Sequence, residues 1–282
     1  MSGKKTTFAF QFSGMILFPT AKINLGLRVT EKRTDGFHNI ESIFYPVPLC
    51  DVIEFREASS FQLTVFGKDI PGKSGENLLV KTWQLLQTHF SISPIEVNLL
   101  KNIPIGSGLG GGSADATFLL RALNLFFQLN ITNKDMLHFA TQLGSDCPFF
   151  ILNKPAFVTG KGDIVQPCHL DLSGYTLIIV VPERPLSTAS LFSKTTPVKR
   201  ENTLKEALKL PIKAWQQFLT NDFEKIVFQE YPVLGKIKTS LYHQHALYAS
   251  ITGTGSAIYG LFETRPDTEA LKKYGTIYRY RL

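Results

Sequence analysis

Cysteine is scarce in this sequence. Its 282 residues hold only Cys50, Cys147 and Cys168, far apart and odd in number. No CxxC or Cys/His spacing suggests zinc, and a disulfide framework needs more cysteines, so a reducing, cytoplasmic setting is expected. Long apolar runs are missing too. Nothing approaches the roughly 18 uninterrupted apolar residues of a membrane span, and no membrane partner is expected. The stretch from Phe8 to Phe18 follows Lys4 and Lys5 and loosely imitates a secretory signal. Gln11, Ser13 and Gly14 interrupt it, and no small-x-small cleavage site follows before Lys22. The sequence also lacks repeats, low-complexity tracts, arginine-rich runs and ladders of aromatics between basic residues. Its net charge of +7 therefore has two readings, a nucleic-acid patch or a positive potential that attracts polyanionic small molecules. Charge alone does not separate them.

What is present describes a globular protein. Hydrophobic residues make up 44% and charged residues 19%, enough for one large core or two packed ones. Ile23, Leu25, Leu27 and Val29 alternate with Lys22, Asn24, Gly26 and Arg28, predicting a half-buried strand over Ala21–Thr30 with a polar second face. Thr34-Asp35-Gly36 predicts a turn, and Ile40–Val47, Asp51–Glu57 and Phe61–Phe66 predict strands. Helical spacing starts near Glu76, Ile95–Leu100 returns to strand, and Ala116–Leu129 and Asn133–Leu143 predict helices, the second capped by Asn133. A hairpin is expected around Gly160 and Gly162, a strand at Tyr175–Val181 and a loop over Pro182–Pro197. Leu204–Leu208, Ala214–Leu219 and Pro232–Leu241 predict helices, Ser250–Phe262 a strand–glycine loop–strand, and Thr276–Arg281 a closing strand. Helices and strands mix in both halves, so an α+β fold is expected, divided into residues 1–165 and 166–282.

The strongest chemical signal is Pro104-Ile105-Gly106-Ser107-Gly108-Leu109-Gly110-Gly111-Gly112-Ser113-Ala114, with five glycines in eleven residues between a strand and a helix. Glycines adopt positive φ and let backbone approach a ligand without a Cβ in the way. The helix that follows offers unpaired amide hydrogens and the positive end of its dipole, and successive glycine amides form a nest for phosphate. No Gly-Lys-Ser/Thr closes the segment, so it is not a P-loop, and it lacks the context of a dinucleotide fingerprint. Ser113 suits a phosphate, Mg²⁺ or a helix N-cap, and Asp115 suits a first helical turn or a metal. Both stay open.

Three blocks in order carry a resemblance: Ala21-Lys22-Ile23-Asn24-Leu25, Gly108-Leu109-Gly110-Gly111-Gly112-Ser113 and Thr252-Gly253-Thr254-Gly255-Ser256. Together they resemble the GHMP kinase superfamily over nearly the whole chain. Lys22-Ile23-Asn24, Asp35-Gly36-Phe37-His38 and Leu143-Gly144-Ser145-Asp146-Cys147-Pro148-Phe149-Phe150 are similar to the branch whose alcohol substrate carries a cytidine diphosphate group. The resemblance implies a ribosomal-S5-like N-terminal domain, a ferredoxin-like C-terminal domain and a site between them. It further implies phosphoryl transfer from ATP, with Mg²⁺, to the 2-hydroxyl of an erythritol unit, and no nucleic-acid partner. Monomer and weak dimer both fit.

The same resemblance implies roles. Asp146 is the base and Lys22 stabilises charge, while Asn24 binds substrate or holds Asp146. Asn77 and Lys101 serve ATP beside the whole segment from Pro104 to Ala114. Phe37, His38, Ser145, Thr188, Phe192, Gly253 and Thr254 serve the substrate, with Phe37 and Phe192 on the two faces of the cytosine. Plain structural readings exist for each: a capping loop aspartate, a solvated strand lysine, a core aromatic, a glycine hairpin. The chain departs from the family's pattern where Phe37 replaces a common tyrosine, Thr20 a proline, Gly26 a larger residue and Ala114 a second serine. The rival readings are a GHMP kinase for homoserine or mevalonate, an RNA-binding S5-like protein, and an inactive binding relative. The last is disfavoured because Lys22 and Asp146 both remain.

Overall fold

A computed structural model describes residues 14–72, 74–183, 186, 188–200 and 204–282. The signal-like stretch lies outside these residues from Phe8 to Ser13. Along the chain come strands β1 (Gly14–Leu17), β2 (Thr20–Lys32), β3 (His38–Cys50), β4 (Val52–Glu57) and β5 (Gln62–Gly67), then helix α1 (Leu78–His89) and β6 (Ile95–Lys101). Helices α2 (Gly111–Phe126), α3 (Asn133–Leu143) and α4 (Cys147–Leu152) precede the hairpin of β7 (Ala156–Thr159) and β8 (Ile164–Pro167). The remainder runs through β9 (Thr176–Val181), α5 (Thr188–Lys194), α6 (Leu204–Ala207), α7 (Trp215–Phe218), α8 (Glu224–Glu230) and α9 (Pro232–His243). It ends with β10 (Tyr248–Ile251), β11 (Ile258–Phe262) and β12 (Thr276–Arg281).

Three four-stranded sheets result, in the orders β1-β4-β6-β5, β2-β3-β7-β8 and β10-β11-β9-β12. Only β5 and β6 pair in parallel among these strands. The first sheet packs Ile53, Phe55, Val97 and Leu99 against Leu79 and Leu86 of α1 and Leu119, Leu120 and Leu123 of α2. The third sheet packs Ile178, Val180 and Ile258 on Val227 of α8 and Ile237 of α9. Between them, Ile23 and Leu25 of β2 share a core with Leu177, Ile179, Tyr248 and Tyr259. The two lobes therefore meet across β2. Among the described residues, no helix is long and apolar enough to cross a membrane.

Several expectations need correction. Strand β2 is buried on both faces from Ala21 to Val29, not half-buried. Phe44, Gly110 and Asp146 of the first lobe enclose Lys22, and the second lobe covers Asn24 and Arg28, so the three are 3%, 0% and 7% exposed. Helix α2 begins at Gly111, five residues before Ala116, because Gly110 at φ +75° turns the chain and its carbonyl already accepts from the Ala114 amide at 2.9 Å. Tertiary position overrides the poor helix propensity of two glycines. Asp115 thus lies beyond the first helical turn. The cap of α3 is Thr132, whose hydroxyl accepts from the Asp135 amide, rather than Asn133. Helix α5 replaces part of the expected loop, docking Leu191 into the third core.

Candidate active site

Two cavities open on either side of the glycine-rich segment. The first, of about 720 Å³, is lined by all residues from Pro104 to Ser113, with Asn77, Lys101 and Asp115. The second, of about 650 Å³, is lined by Lys22, Asn24, Phe37, His38, Ser145, Asp146, Thr188, Phe192, Gly253 and Thr254. Gly108 and Gly110 line both. A group bound at these two residues therefore faces both chambers.

In the first cavity, Gly106, Gly108 and Gly110 take φ of +65°, +79° and +75° at alternate positions, the backbone of an anion-binding nest. The free space at Gly108 is required, since a Cβ there would stand 2.1 Å from the Thr252 carbonyl oxygen. Ser107 turns its hydroxyl to the Pro104 carbonyl at 2.6 Å, so it faces the cavity through backbone. Leu109 is likewise buried at its side chain. Asn77 caps α1 by accepting from the Leu79 amide at 2.9 Å while lining the cavity.

Ala114 requires correction: it lines neither cavity. Its methyl packs with Phe44, Phe149 and Phe150, and its amide is used within α2. Ser113 is the third residue of α2 and not its N-cap, which is Gly110.

Lys101 is no ordinary strand-end lysine. It is 3% exposed, its ammonium lies 2.7 Å from Asp115 Oδ2, and it also donates to Asp51 Oδ2. Asp51 Oδ1 accepts from the Asn102 and Ile103 amides at 2.6 and 2.8 Å, fixing the root of the loop. Two carboxylates thus surround one ammonium. Burial, reinforced by the Asp51 charge and only partly opposed by Lys101, pushes the Asp115 carboxyl up to about 8. Burial alone would lower Lys101, but the Asp115 and Asp51 charges outweigh it and hold the ammonium above its ordinary value. The cluster is charge-balanced when Asp115 carries a proton, and the Lys101 charge is spent largely inside the protein.

The second cavity has a charged end and an aromatic end. At the charged end, the period of β2 puts Lys22 and Asn24 on one face. The Lys22 amide donates to the Leu109 carbonyl at 2.9 Å, which joins the strand to the glycine-rich loop. Its ammonium donates to Asn24 Oδ1 at 2.6 Å, stands 3.3 Å from Asp146 Oδ2 and lies 4.4 Å from the centre of the Phe44 ring. Asp146 precedes α4 but makes no capping bond, which removes the plain reading of a capping aspartate. Phe149 and Phe150, both fully buried, anchor α4 behind it, each worth roughly 1.5–3 kcal/mol of burial. Burial pushes the neighbouring Cys147 thiol up to about 11, leaving it protonated beside the carboxylate.

Asn24 holds Lys22 rather than Asp146. Its Oδ1 also accepts from Thr252 Oγ1 at 3.1 Å and the Gly253 amide at 2.8 Å, and its Nδ2 donates to Ser42 Oγ at 3.0 Å. With both ends of its amide engaged and no exposed surface, it acts through its neighbours.

At the aromatic end, Phe37 is 52% exposed in the turn before β3. His38 stacks on Phe192 with centroids 5.3 Å apart, and Phe192 meets Phe223 edge-on at 4.8 Å. The two rings expected to face each other across a base thus have different neighbours, because Lys161 from the β7–β8 hairpin lies 5.2 Å over Phe37. Thr188 and Thr254 share a hydrogen bond of 3.0 Å across the cavity wall. Sequence reasoning assigns no role to Asp51, Lys161, Asn221 or Thr252. Thr252 opens the third glycine block and Lys161 sits in the Gly160-Lys161-Gly162 hairpin, whereas Asp51 and Asn221 have no local motif that marks them.

Comparison with known proteins agrees with this arrangement. Residues 77–154 match the family model for the GHMP kinases N terminal domain, and residues 201–276 match that for the GHMP kinases C terminal region. A curated 4-diphosphocytidyl-2-C-methyl-D-erythritol kinase from Bacteroides thetaiotaomicron is 48% identical over 262 residues, covering 90% of this chain and 96% of the relative. A crystal structure of 4-(cytidine 5'-diphospho)-2C-methyl-D-erythritol kinase superposes with a TM-score of 0.80 at 27% identity, covering 94% of this chain and 98% of that one. The mevalonate kinase of Methanococcus jannaschii, at 16% identity and a TM-score of 0.69 over 96% of this chain and 98% of its own, shares the fold. With both halves of one family met in order along a chain whose two lobes enclose a glycine-rich loop, this chain belongs to the GHMP kinases.

Proposed function

We propose that the chain transfers the γ-phosphoryl group of ATP to the 2-hydroxyl of 4-diphosphocytidyl-2-C-methyl-D-erythritol. The observation that carries this reading is the pair of cavities joined at Gly108 and Gly110, one against the anion nest and the other against Asp146 and Lys22. The relatives' names supply the alcohol, and the aromatic end of the second cavity supports a cytosine there. The N-terminal residues, 1–165, are assigned to nucleotide and catalysis, and residues 166–282 to the acceptor side. The proposed setting is the cytoplasm, where the unpaired thiols of Cys50, Cys147 and Cys168 stay reduced.

Asp146 accepts the proton of the 2-hydroxyl as that oxygen bonds to the γ-phosphorus and the bond from phosphorus to the ADP oxygen breaks. The Lys22 ammonium lies on the path of the negative charge, 3.3 Å from the Asp146 carboxylate. The nest holds the oxygens of the leaving diphosphate. Ser113 and Asp115 line the nest cavity, oxygen donors of the kind that would meet an Mg²⁺ held mainly by phosphate oxygens. The ion would neutralise phosphate charge.

The test is ADP release with the diphosphocytidyl substrate, measured beside homoserine and mevalonate. Turnover restricted to the cytidine-bearing alcohol is expected. Turnover of either other alcohol alone overturns the assignment.

A further inference from the structure

The charged and aromatic ends of the acceptor cavity are built by different elements, and one buried side chain outside the cavity joins them. Asn221 lies between α7 and α8, 3% exposed, at a bridge to Leu27 of β2. Its Nδ2 donates to the carbonyls of Ile251 at 3.1 Å and Gly253 at 2.9 Å. Its Oδ1 accepts from the Phe223 amide at 3.0 Å. All three contacts stand at once, so neither end of this amide is free.

Two of the contacts, to Gly253 and to Phe223, lead to opposite ends of the cavity. Gly253 donates its amide to Asn24 Oδ1 at 2.8 Å, Asn24 accepts from Lys22 at 2.6 Å, and Lys22 faces Asp146 at 3.3 Å. On the other side, Phe223 and Phe192 meet edge to face at 4.8 Å, and Phe192 stacks on His38. The flanking backbone pins Asn221 itself, with the Leu27 amide donating to Thr220 O at 3.0 Å and the Asp222 amide to Leu27 O at 2.8 Å. The Val29 amide adds a bond to Asp222 Oδ2 at 2.9 Å. This anchorage ties the connection to the strand that carries Lys22.

We infer that Asn221 is a positioning residue which sets the distance between the phosphoryl-transfer end and the base-stacking end of the acceptor cavity, and so fits it to a long, rigid-headed nucleoside diphosphate alcohol. The inference rests on the acceptor proposed above. A substrate held at both ends reacts only if its hydroxyl and its base reach their partners together. An error of about 1 Å at one end costs on the order of 100-fold. Donor and acceptor of one amide give the two ends separate handles, which makes the role separable by mutation.

Asn221→Asp keeps the oxygen that accepts from Phe223 and loses the bonds donated to Ile251 at the end of β10 and to Gly253 in the glycine loop. It is expected to lower kcat roughly 30- to 100-fold with KM for the cytidine substrate changed less than about threefold, the signature of an interaction lost at the reacting end. Phe223→Leu keeps Asn221 and removes the ring behind Phe192. It is expected to raise that KM about tenfold with kcat nearly kept. Leu241→Ala, buried in the same lobe away from both cavities, is the control for general loosening, with both parameters within about twofold of the parent. The inference is overturned if Asn221→Asp leaves kcat intact, if both variants shift the same parameter, or if Leu241→Ala reproduces either effect at a matched melting temperature. A parent chain that releases no ADP with this substrate sinks the acceptor assignment and the inference with it. A parent that turns over beside an unaffected Asn221→Asp sinks the inference alone.

Discussion

The Lys22 ammonium stands 3.3 Å from the Asp146 carboxylate, with the lysine 3% exposed and the aspartate side chain 31% exposed. The cation is sealed in the protein and the anion looks out, so the pair is built to act on a molecule that arrives from the aspartate side. Removing the anion should abolish proton acceptance without disturbing the fold. Asp146→Asn is expected to lower kcat about 1,000-fold while the affinity for a non-hydrolysable ATP analogue stays within about twofold, read by steady-state kinetics and calorimetry.

Lys22 is crowded as well as charged. A Cβ at Gly110 would come 3.1 Å from its Cγ, and the Phe44 ring lies 4.4 Å from its ammonium. Lys22→Met should therefore lower kcat by roughly 100-fold or more by removing the charge that meets the transferring group. Lys22→Arg should fail to rescue it, because the wider guanidinium has no room. Recovery of more than about a tenth of parental kcat by the arginine variant would contradict this account of the site.

Phe37 offers a half-exposed ring without the phenol of the common tyrosine. Phe37→Ala is expected to raise KM for the cytidine substrate about tenfold, the scale of one base–aromatic stack, while KM for ATP is unchanged. Phe37→Tyr should be tolerated, since so exposed a ring has room for one more hydroxyl. Initial rates at varied concentration of each substrate decide both.

The buried Asp115 gives a pH signature. The folded chain holds its proton up to about pH 8, whereas an unfolded aspartate releases it near about pH 3.9. Between those values the folded state binds more protons, so its contribution to stability falls as pH rises, by at most about 1.4 kcal/mol per unit, and levels off above about pH 8. Asp115→Asn removes that slope. The parent's stability relative to the variant should shrink by more than about 1 kcal/mol between about pH 6 and about pH 8 in urea unfolding.

Gly108 should accept no side chain. With φ at +79° and the Thr252 carbonyl oxygen 2.1 Å from where a Cβ would stand, Gly108→Ala must separate the two loops. A loss of more than about 2 kcal/mol in stability and weaker ATP binding are expected, measured by thermal melting and calorimetry.

Much of this is legible in the sequence because its signals are local. The glycine-rich segment announces a turn into a helix at an anion site, and the alternation along Ala21–Thr30 announces β2 with Lys22 and Asn24 on one face. The start of α2 is not legible, because glycine propensity argues for coil and only the packing of α2 against α1, α4 and the first sheet overrides it. The burial of Asn24 and Arg28 is hidden because the covering surface comes from residues some 200 positions away, such as Thr252 and Phe218. Asp51 pairs with Lys101 across 50 positions, a separation at which sequence carries no spacing rule. Ala114 misleads because its position in the motif says nothing of the direction its Cβ takes on the helix.

The shared floor of Gly108 and Gly110 also limits the shape of any inhibitor. A compound with a purine head in one chamber and a pyrimidine head in the other must pass these two glycines, where even a methyl group on the protein would crowd Thr252, Lys22 or Phe150. Its linker must be slender and anionic at the waist, and the heads must differ. Such a two-headed ligand would draw its selectivity from the span between the heads, which proteins holding either ring alone do not reproduce.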